Sequence, residues 1–281
     1  MVGQVAKSVC FGNGIFIIVG QNGKIWRSTD LGLTFTEVVH ATGTAIYYAV
    51  SYGNGRFIAI GQSGQEAYSD NLGVSWTGVT IPGGLTWISI CYQSAVWVIG
   101  TSGGALRRST DYGVTWGSNL TVPALGGQAS AISCGGGVFI VGSSVGKIAR
   151  STDLGLTWGS LITNSFDPNP IRTMSFGNGI FVCFGDNSYI QKSTDLGVTW
   201  SALIPVSSTS HIYGSCYANG KFLAFGAGAR TLISNQIAEL DISYLPIKTT
   251  VSTGDYLKMY CALDNKECRI LLSDLKTYFT T

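Results

Sequence analysis

Eight residues, Ser-Thr-Asp-Leu-Gly-Val-Thr-Trp at 193–200, recur in near copy four more times along this chain. The copies begin at Ser28, Ser69, Ser109, Ser151 and Ser193, so the steps are 41, 40, 42 and 42 residues. The first copy ends in Phe35 instead of Trp, and the second carries Asn71 where the others carry Asp. One more step reaches Ser234, where Gln236 and Ala238 stand in place of the Asp and the Gly. A period of this size confines the chain to repeat architectures, in which each unit buries its apolar faces against its neighbours.

Two further columns keep the same period. Asn-Gly pairs at 13–14, 54–55, 178–179 and 219–220 sit between apolar runs. Such pairs mark tight hairpins, because both residues tolerate positive φ. Three residues after Asn13, and again at each step, stands an aromatic: Phe16, Phe57, Trp97, Phe139, Phe181 and Phe222. A strand into the turn, a second through the aromatic, a third into the eight-residue stretch and a fourth beyond it make four short antiparallel strands. Six such units predict an all-β, six-bladed β-propeller over residues 1–245. The remaining 36 residues, 246–281, break the period. They predict a β-hairpin with Asp264 and Asn265 at its tip and Cys261 facing Cys268, paired as a disulfide or held as two thiols. A segment of that length lacks a core of its own, so it reads as an attachment or oligomerisation module.

Composition narrows the function. Charged residues are 11% of the chain, hydrophobic ones 45%, and Gly occurs 38 times, which excludes a disordered chain and suits many tight turns. A net charge of +2 without a basic run gives no footprint for nucleic acid. No apolar stretch approaches the roughly 20 residues that span a bilayer. The opening residues lack the charged-then-apolar form of a signal peptide, so synthesis in a cytoplasm is expected. Seven cysteines without compact spacing argue against a disulfide framework. Cys10, Cys91 and Cys216 share a column with Ser51, Ser133 and Ser175, which reads as a demand for a small packing residue.

The pattern Ser-x-Asp-x-Gly-x-Thr-Trp resembles the Asp-box (BNR) repeat. The resemblance covers most of residues 1–245: Ser28, Asp30 and Gly32; Asn71, Gly73 and Trp76; Asp111, Gly113 and Trp116; Asp153, Gly155 and Trp158; Asp195, Gly197 and Trp200. It implies that the box is a structural turn between the third and fourth strands, facing away from the ligand side. Ser hydroxyl and Asp carboxylate then accept backbone N–H bonds within the turn, and Gly supplies a conformation that side chains resist. The same family includes glycosidases, but the arginine–Ile–Pro motif of the sialidases is missing. Once the box and tail carboxylates are set aside, along with Asp70 beside a box and Glu37, Glu239 and Asp241 on predicted outer strands, Glu66, Asp167 and Asp186 remain as candidates for a catalytic pair. Arg27, Arg108, Arg150 and Lys192 each precede a box serine, which places them at repeated strand ends instead of in one pocket.

Other chemistry is weaker still. Two G-x-S-x-G matches, at 100–104 and 142–146, lie in equivalent hairpin loops and not in the strand–turn–helix setting a nucleophile needs. His40 and His211, the only histidines, have no partner at metal-ligand spacing. No catalytic residue, cofactor or metal is expected. Repeats such as Tyr-Gly-Asn-Gly-Arg-Phe at 52–57, together with the tail segment Thr-Gly-Asp-Tyr-Leu-Lys-Met-Tyr at 253–260, resemble bacteriophage tail-fibre and other virion proteins. That resemblance implies a virion protein assembled in the host cytoplasm. Its tail would join it to other virion proteins, and as a homo-oligomer, a trimer for instance, it would bind host surface polysaccharide. The expected ligand face carries Gln21, Gln62, Asp186 and Tyr189 in loops, and Trp87 and His211 in connectors beside Tyr47 and Phe166. Two other readings remain: a purely structural virion propeller whose loops are ordinary solvated turns, and a sialidase-like hydrolase.

Overall fold

The computed structural model describes residues 6–38, 44–120, 122, 125–162, 166, 168–186, 189–205, 211–218, 221–226, 230–233, 256–260 and 267–271. Apolar runs bounded by Asn-Gly turns become consecutive antiparallel strands. The first sheet is β1 (Ala6–Gly12), β2 (Ile15–Gly20), β3 (Ile25–Ser28) and β4 (Thr36–Val38). The second is β5 (Tyr47–Gly53), β6 (Arg56–Gly61), β7 (Gln65–Ser69) and β8 (Thr77–Thr80). β9 (Trp87–Gln93), β10 (Val96–Thr101) and β11 (Leu106–Ser109) form the third, and β12 (Ala131–Gly135), β13 (Val138–Gly142) and β14 (Ile148–Ser151) the fourth. The fifth holds β15 (Ile171–Gly177), β16 (Ile180–Gly185), β17 (Tyr189–Ser193) and β18 (Ile204–Pro205). The sixth holds β19 (Ile212–Ala218), β20 (Lys221–Gly226) and β21 (Arg230–Ile233). First strands of successive sheets lie side by side, β1 on β5, β5 on β9, β9 on β12, β12 on β15 and β15 on β19. The fold is a β-propeller.

The expected fourth strand is not uniform. In the third and fourth sheets it shrinks to single bridges, Leu106 with Leu120 and Ile148 with Ile162. Gly117 and Gly159 stand where the first sheet has Thr36, and Gly packs poorly in a strand.

The aromatic column is the core. Phe16, Phe57, Trp97, Phe139 and Phe181 are fully buried, each opposite the serine that opens the repeated turn. In five sheets a second ring stands across the first hairpin: Phe11, Tyr52, Tyr92, Phe176 and Tyr217, with centroids 4.5 to 4.8 Å apart. Four of these second rings also lock neighbouring sheets. Tyr52 lies over Gly12, Tyr92 over Gly53, Phe176 over Gly135 and Tyr217 over Gly177, where a Cβ would come within 1.9 to 2.2 Å of the ring. Only Gly permits that approach. At the seam between the third and fourth sheets both members are replaced: Gln93 takes the Gly position and Cys134 the aromatic one. There Cys134 forms a disulfide with Cys91. Cys91 is therefore not the free packing residue its column suggested, whereas Cys10 and Cys216 are free thiols. Burial pushes both of those thiols up to about 12.

The repeated turns close on themselves. In each, the Ser hydroxyl donates to the Asp or Asn side chain at 2.6 to 2.9 Å and accepts the Gly N–H at 2.7 to 2.9 Å. In the four Asp copies the Thr N–H and hydroxyl both donate to the carboxylate. Burial alone would raise these carboxyls; the donated bonds outweigh it and hold Asp153 and Asp195 at about 2. The residue before the Gly is left-handed as well, with φ from 57° to 63° at Leu31, Leu72, Tyr112, Leu154 and Leu196. Its carbonyl accepts a bond from the preceding sheet: Arg27 Nε to Leu72, Arg108 Nε to Leu154 and Arg150 Nε to Leu196, each at 2.7 Å. The second sheet has Tyr68 in the arginine's column, and Arg56 on the adjacent strand takes over. It stacks 4.2 Å over the Tyr68 ring, grips Asp70 with Nε and one terminal nitrogen, and donates to the Tyr112 carbonyl at 2.8 Å with the other.

Of residues 246–281, β22 (Tyr256–Tyr260) and β23 (Glu267–Leu271) pair antiparallel, and β22 lies against β19. The register places Cys268 opposite Met259, two residues from the expected pairing with Cys261. Cys261, the hairpin tip at Asp264 and Asn265, Asp167, His40 and the decayed sixth turn lie outside the described residues.

Candidate functional site

Antiparallel order puts the first hairpins and the repeated turns at one end of the first five sheets. The second-to-third-strand loops and the connectors between sheets fall at the other, the loop end. There the first strand carries a β-bulge in five of six sheets, at Lys7, Tyr48, Ile88, Arg172 and Tyr213. A bulge turns one side chain out of the ladder. Lys7, Arg172 and Tyr213 are exposed as a result.

The fifth and sixth sheets assemble a charged cluster from these positions. Arg172 grips Asp186 through Nε at 2.8 Å and a terminal nitrogen at 2.9 Å, the bidentate geometry that fits guanidinium to carboxylate. His211 Nδ1 lies 2.8 Å from the same Asp186 oxygen. The Arg172 bond holds the Asp186 carboxyl below its usual range against partial burial, with His211 adding to it. Tyr213 completes the group, its ring 6.1 Å from that of His211. Asp186 is thus a fixed anion with its charge already met, poorly placed to act as a general acid.

A second feature straddles the seam between the third and fourth sheets. Residues 102–105, 120, 122, 125–128, 144 and 145 line an open cleft of about 670 Å³. Its floor is stitched to both sheets. Ala129 N–H donates to Thr101 carbonyl, Ser89 hydroxyl to Ala129 carbonyl, and Gln128 N–H to Ser144 Oγ. The walls are backbone, serine and small apolar groups.

The expected ligand residues divide. Gln62 is exposed, while Gln21, Tyr189 and His211 are half-buried at the loop end. Asp186 and His211 come together. Trp87 does not face solvent: it is fully buried, with the Arg107 guanidinium 5.3 Å from its ring centroid, and Tyr47 and Phe166 are buried likewise. The connectors fold their aromatics inward to cap the core instead of presenting them. Arg172 and Tyr213 were missed by sequence reasoning; the shared column through 7, 48, 88, 172 and 213 was the available signal. Glu66 is elsewhere, in an apolar column between the second and third sheets. Burial pushes it up to about 7, and it accepts the Trp116 indole N–H at 2.8 Å. Glu66 and Asp186 therefore form no pair. Among the described residues, no group of three or more His, Cys, Asp or Glu side chains is placed to hold a metal.

Neither a family profile nor a curated sequence matches this chain. Solved structures match its fold. The WD40 β-propeller domain of Doa1 superposes with a TM-score of 0.68 at 13% identity over 85% of each chain. YCF48 bound to a D1 peptide gives 0.66 at 16% identity, over 85% of this chain and 80% of that one. An ancestral GH74 enzyme gives 0.64 at 12% identity over 86% of this chain and 38% of that enzyme.

Proposed function

We propose that this chain is a six-bladed Asp-box propeller from a bacteriophage virion, a tail fibre or appendage that binds host surface polysaccharide through its loop end. The observation carrying this reading is the contrast between the ends of the sheets. Repeated turns fill one end with the same bonds, whereas the other holds an open, mostly uncharged cleft and the Arg172–Asp186–His211–Tyr213 cluster. Hydroxyls, backbone amides and one exposed aromatic suit sugar hydroxyls. A weak sugar site near 1 mM supplies only about 4 kcal/mol, and linking sites raises avidity by roughly 10²–10⁴. The reading therefore includes a homo-oligomer joined to the particle through residues 246–281. No catalytic role is assigned. YCF48 bound to a D1 peptide is a precedent for a propeller that binds a partner.

One observation favours the structural alternative. Each repeated turn exposes an aliphatic at its sixth position, Leu33, Val74, Val114, Leu156 and Val198, between 44% and 65% exposed. Such a ring suits contact with other virion proteins. Binding of the labelled full chain to bacterial cells with and without surface polysaccharide separates the readings. Polysaccharide-dependent binding is expected, and its loss in Arg172→Ala/Tyr213→Ala is expected with it. Absence of binding across a panel containing the host would leave only the structural role.

A further inference from the structure

The seam between the third and fourth sheets departs from the other described seams in three ways at once. Gln93 replaces the Gly, Cys134 replaces the ring, and a disulfide joins Cys91 to Cys134. Gln93 does not restore the lost lock. Its side chain reaches across only to the Val138 carbonyl at 3.5 Å and the Gly137 N–H at 3.4 Å, both at the limit of a hydrogen bond. Where an aromatic ring would cover apolar surface, the seam has two sulfurs. Cys91 and Cys134 are both half-buried, unlike fully buried Cys183.

From this substitution we infer that Cys91 and Cys134 are an oxidation site that locks the third sheet to the fourth, in place of the aromatic–glycine contact used at the other four described seams. The locking step is thiol–disulfide exchange with a small-molecule disulfide. One cysteine thiolate attacks that disulfide and releases the first small thiol. The second cysteine then attacks the mixed disulfide and releases the other. Two electrons pass to the small molecule, and the two cysteine protons end on the two thiols released. A chain made in a reducing cytoplasm carries this seam unlocked and closes it in an oxidising medium. The seam also underlies the cleft, whose walls come from loops on either side of it, so cleft geometry depends on the lock. That last step rests on the proposed polysaccharide-binding role; the lock itself does not.

Amide hydrogen exchange of the full chain, oxidised and after dithiothreitol, tests the inference. Reduction should accelerate exchange in Trp87–Gln93 and Ala131–Gly135 by about tenfold or more, leaving β5 and β15 unchanged. The variant Cys91→Ser/Gln93→Gly/Cys134→Tyr rebuilds the contact of the other seams. It should fold, show oxidised-like protection there and ignore dithiothreitol. Equal exchange at the seam before and after reduction overturns the lock. So does a rebuilt variant that folds yet exchanges like the reduced protein. Polysaccharide binding by oxidised and reduced protein is measured in parallel. Binding in neither state removes the host-binding reading and leaves the lock to the exchange data.

Discussion

The two ends of each sheet are built by different rules. At the turn end, five copies of one hydrogen-bonded turn recur, and an arginine reaches from each of the first four sheets to the carbonyl of the next turn. At the loop end the bulge repeats but its residue does not: Lys7, Tyr48, Ile88, Arg172 and Tyr213 share little chemistry. Repetition marks a mechanical requirement common to all units. A backbone feature that repeats while its side chains vary leaves those side chains available for a ligand.

That division yields graded expectations. The largest effect belongs to the locks near the turn end. Gly53→Val drives a Cβ to 2.2 Å from the Tyr92 ring and should cost about 3 kcal/mol or more, read as a lower urea midpoint with unchanged slope. Next comes Glu66, whose partner Trp116 ends a turn. Its carboxyl is raised from 4.5 to about 7 by burial, so the stability it contributes is full below pH 4.5 and is lost as pH rises through 7. Wild type should lose up to about 3 kcal/mol across that window. Glu66→Gln should flatten the profile, as urea titrations at pH 5 and pH 8 would show; a wild-type profile already flat would place a charged carboxylate there. Third, Asp153→Ala breaks one turn at about 1 kcal/mol. Matching losses for Asp30→Ala, Asp111→Ala and Asp195→Ala would show the turns to be equivalent, and unequal ones would break the comparison. The smallest stability change, under about 1 kcal/mol, is expected for Asp186→Asn at the loop end. That variant should instead weaken binding to host cells, and the opposite pattern would make the cluster a brace.

Periodicity made the strands, turns and aromatic core legible, because each follows from spacing alone. It also placed Arg27, Arg108, Arg150 and Lys192 at repeated strand ends, but gave no sign that the three arginines reach across to the next turn. What it hid was non-periodic. The buried Trp87, Tyr47 and Phe166 read as surface groups because connectors have no period to reveal which way they fold. Cys91 looked like a small packing residue because its partner Cys134 sits in a different column. Arg172 and Tyr213 escaped because a bulge shifts a side chain out of the ladder without changing the sequence spacing. The tail hairpin was expected, but its register was set two residues off, since nothing in its sequence pins the turn.

Arg56 carries a lesson about how such a repeat drifts. Tyr68 stands where three other sheets have an arginine, yet the bond to the next turn survived, supplied by Arg56 from a neighbouring strand. What persists is therefore a point in space where a cation must meet a carbonyl, not a letter at a fixed place in the repeat. A unit can look eroded on the page while its mechanical joints remain whole. Counting intact motifs then understates how many working units a propeller holds.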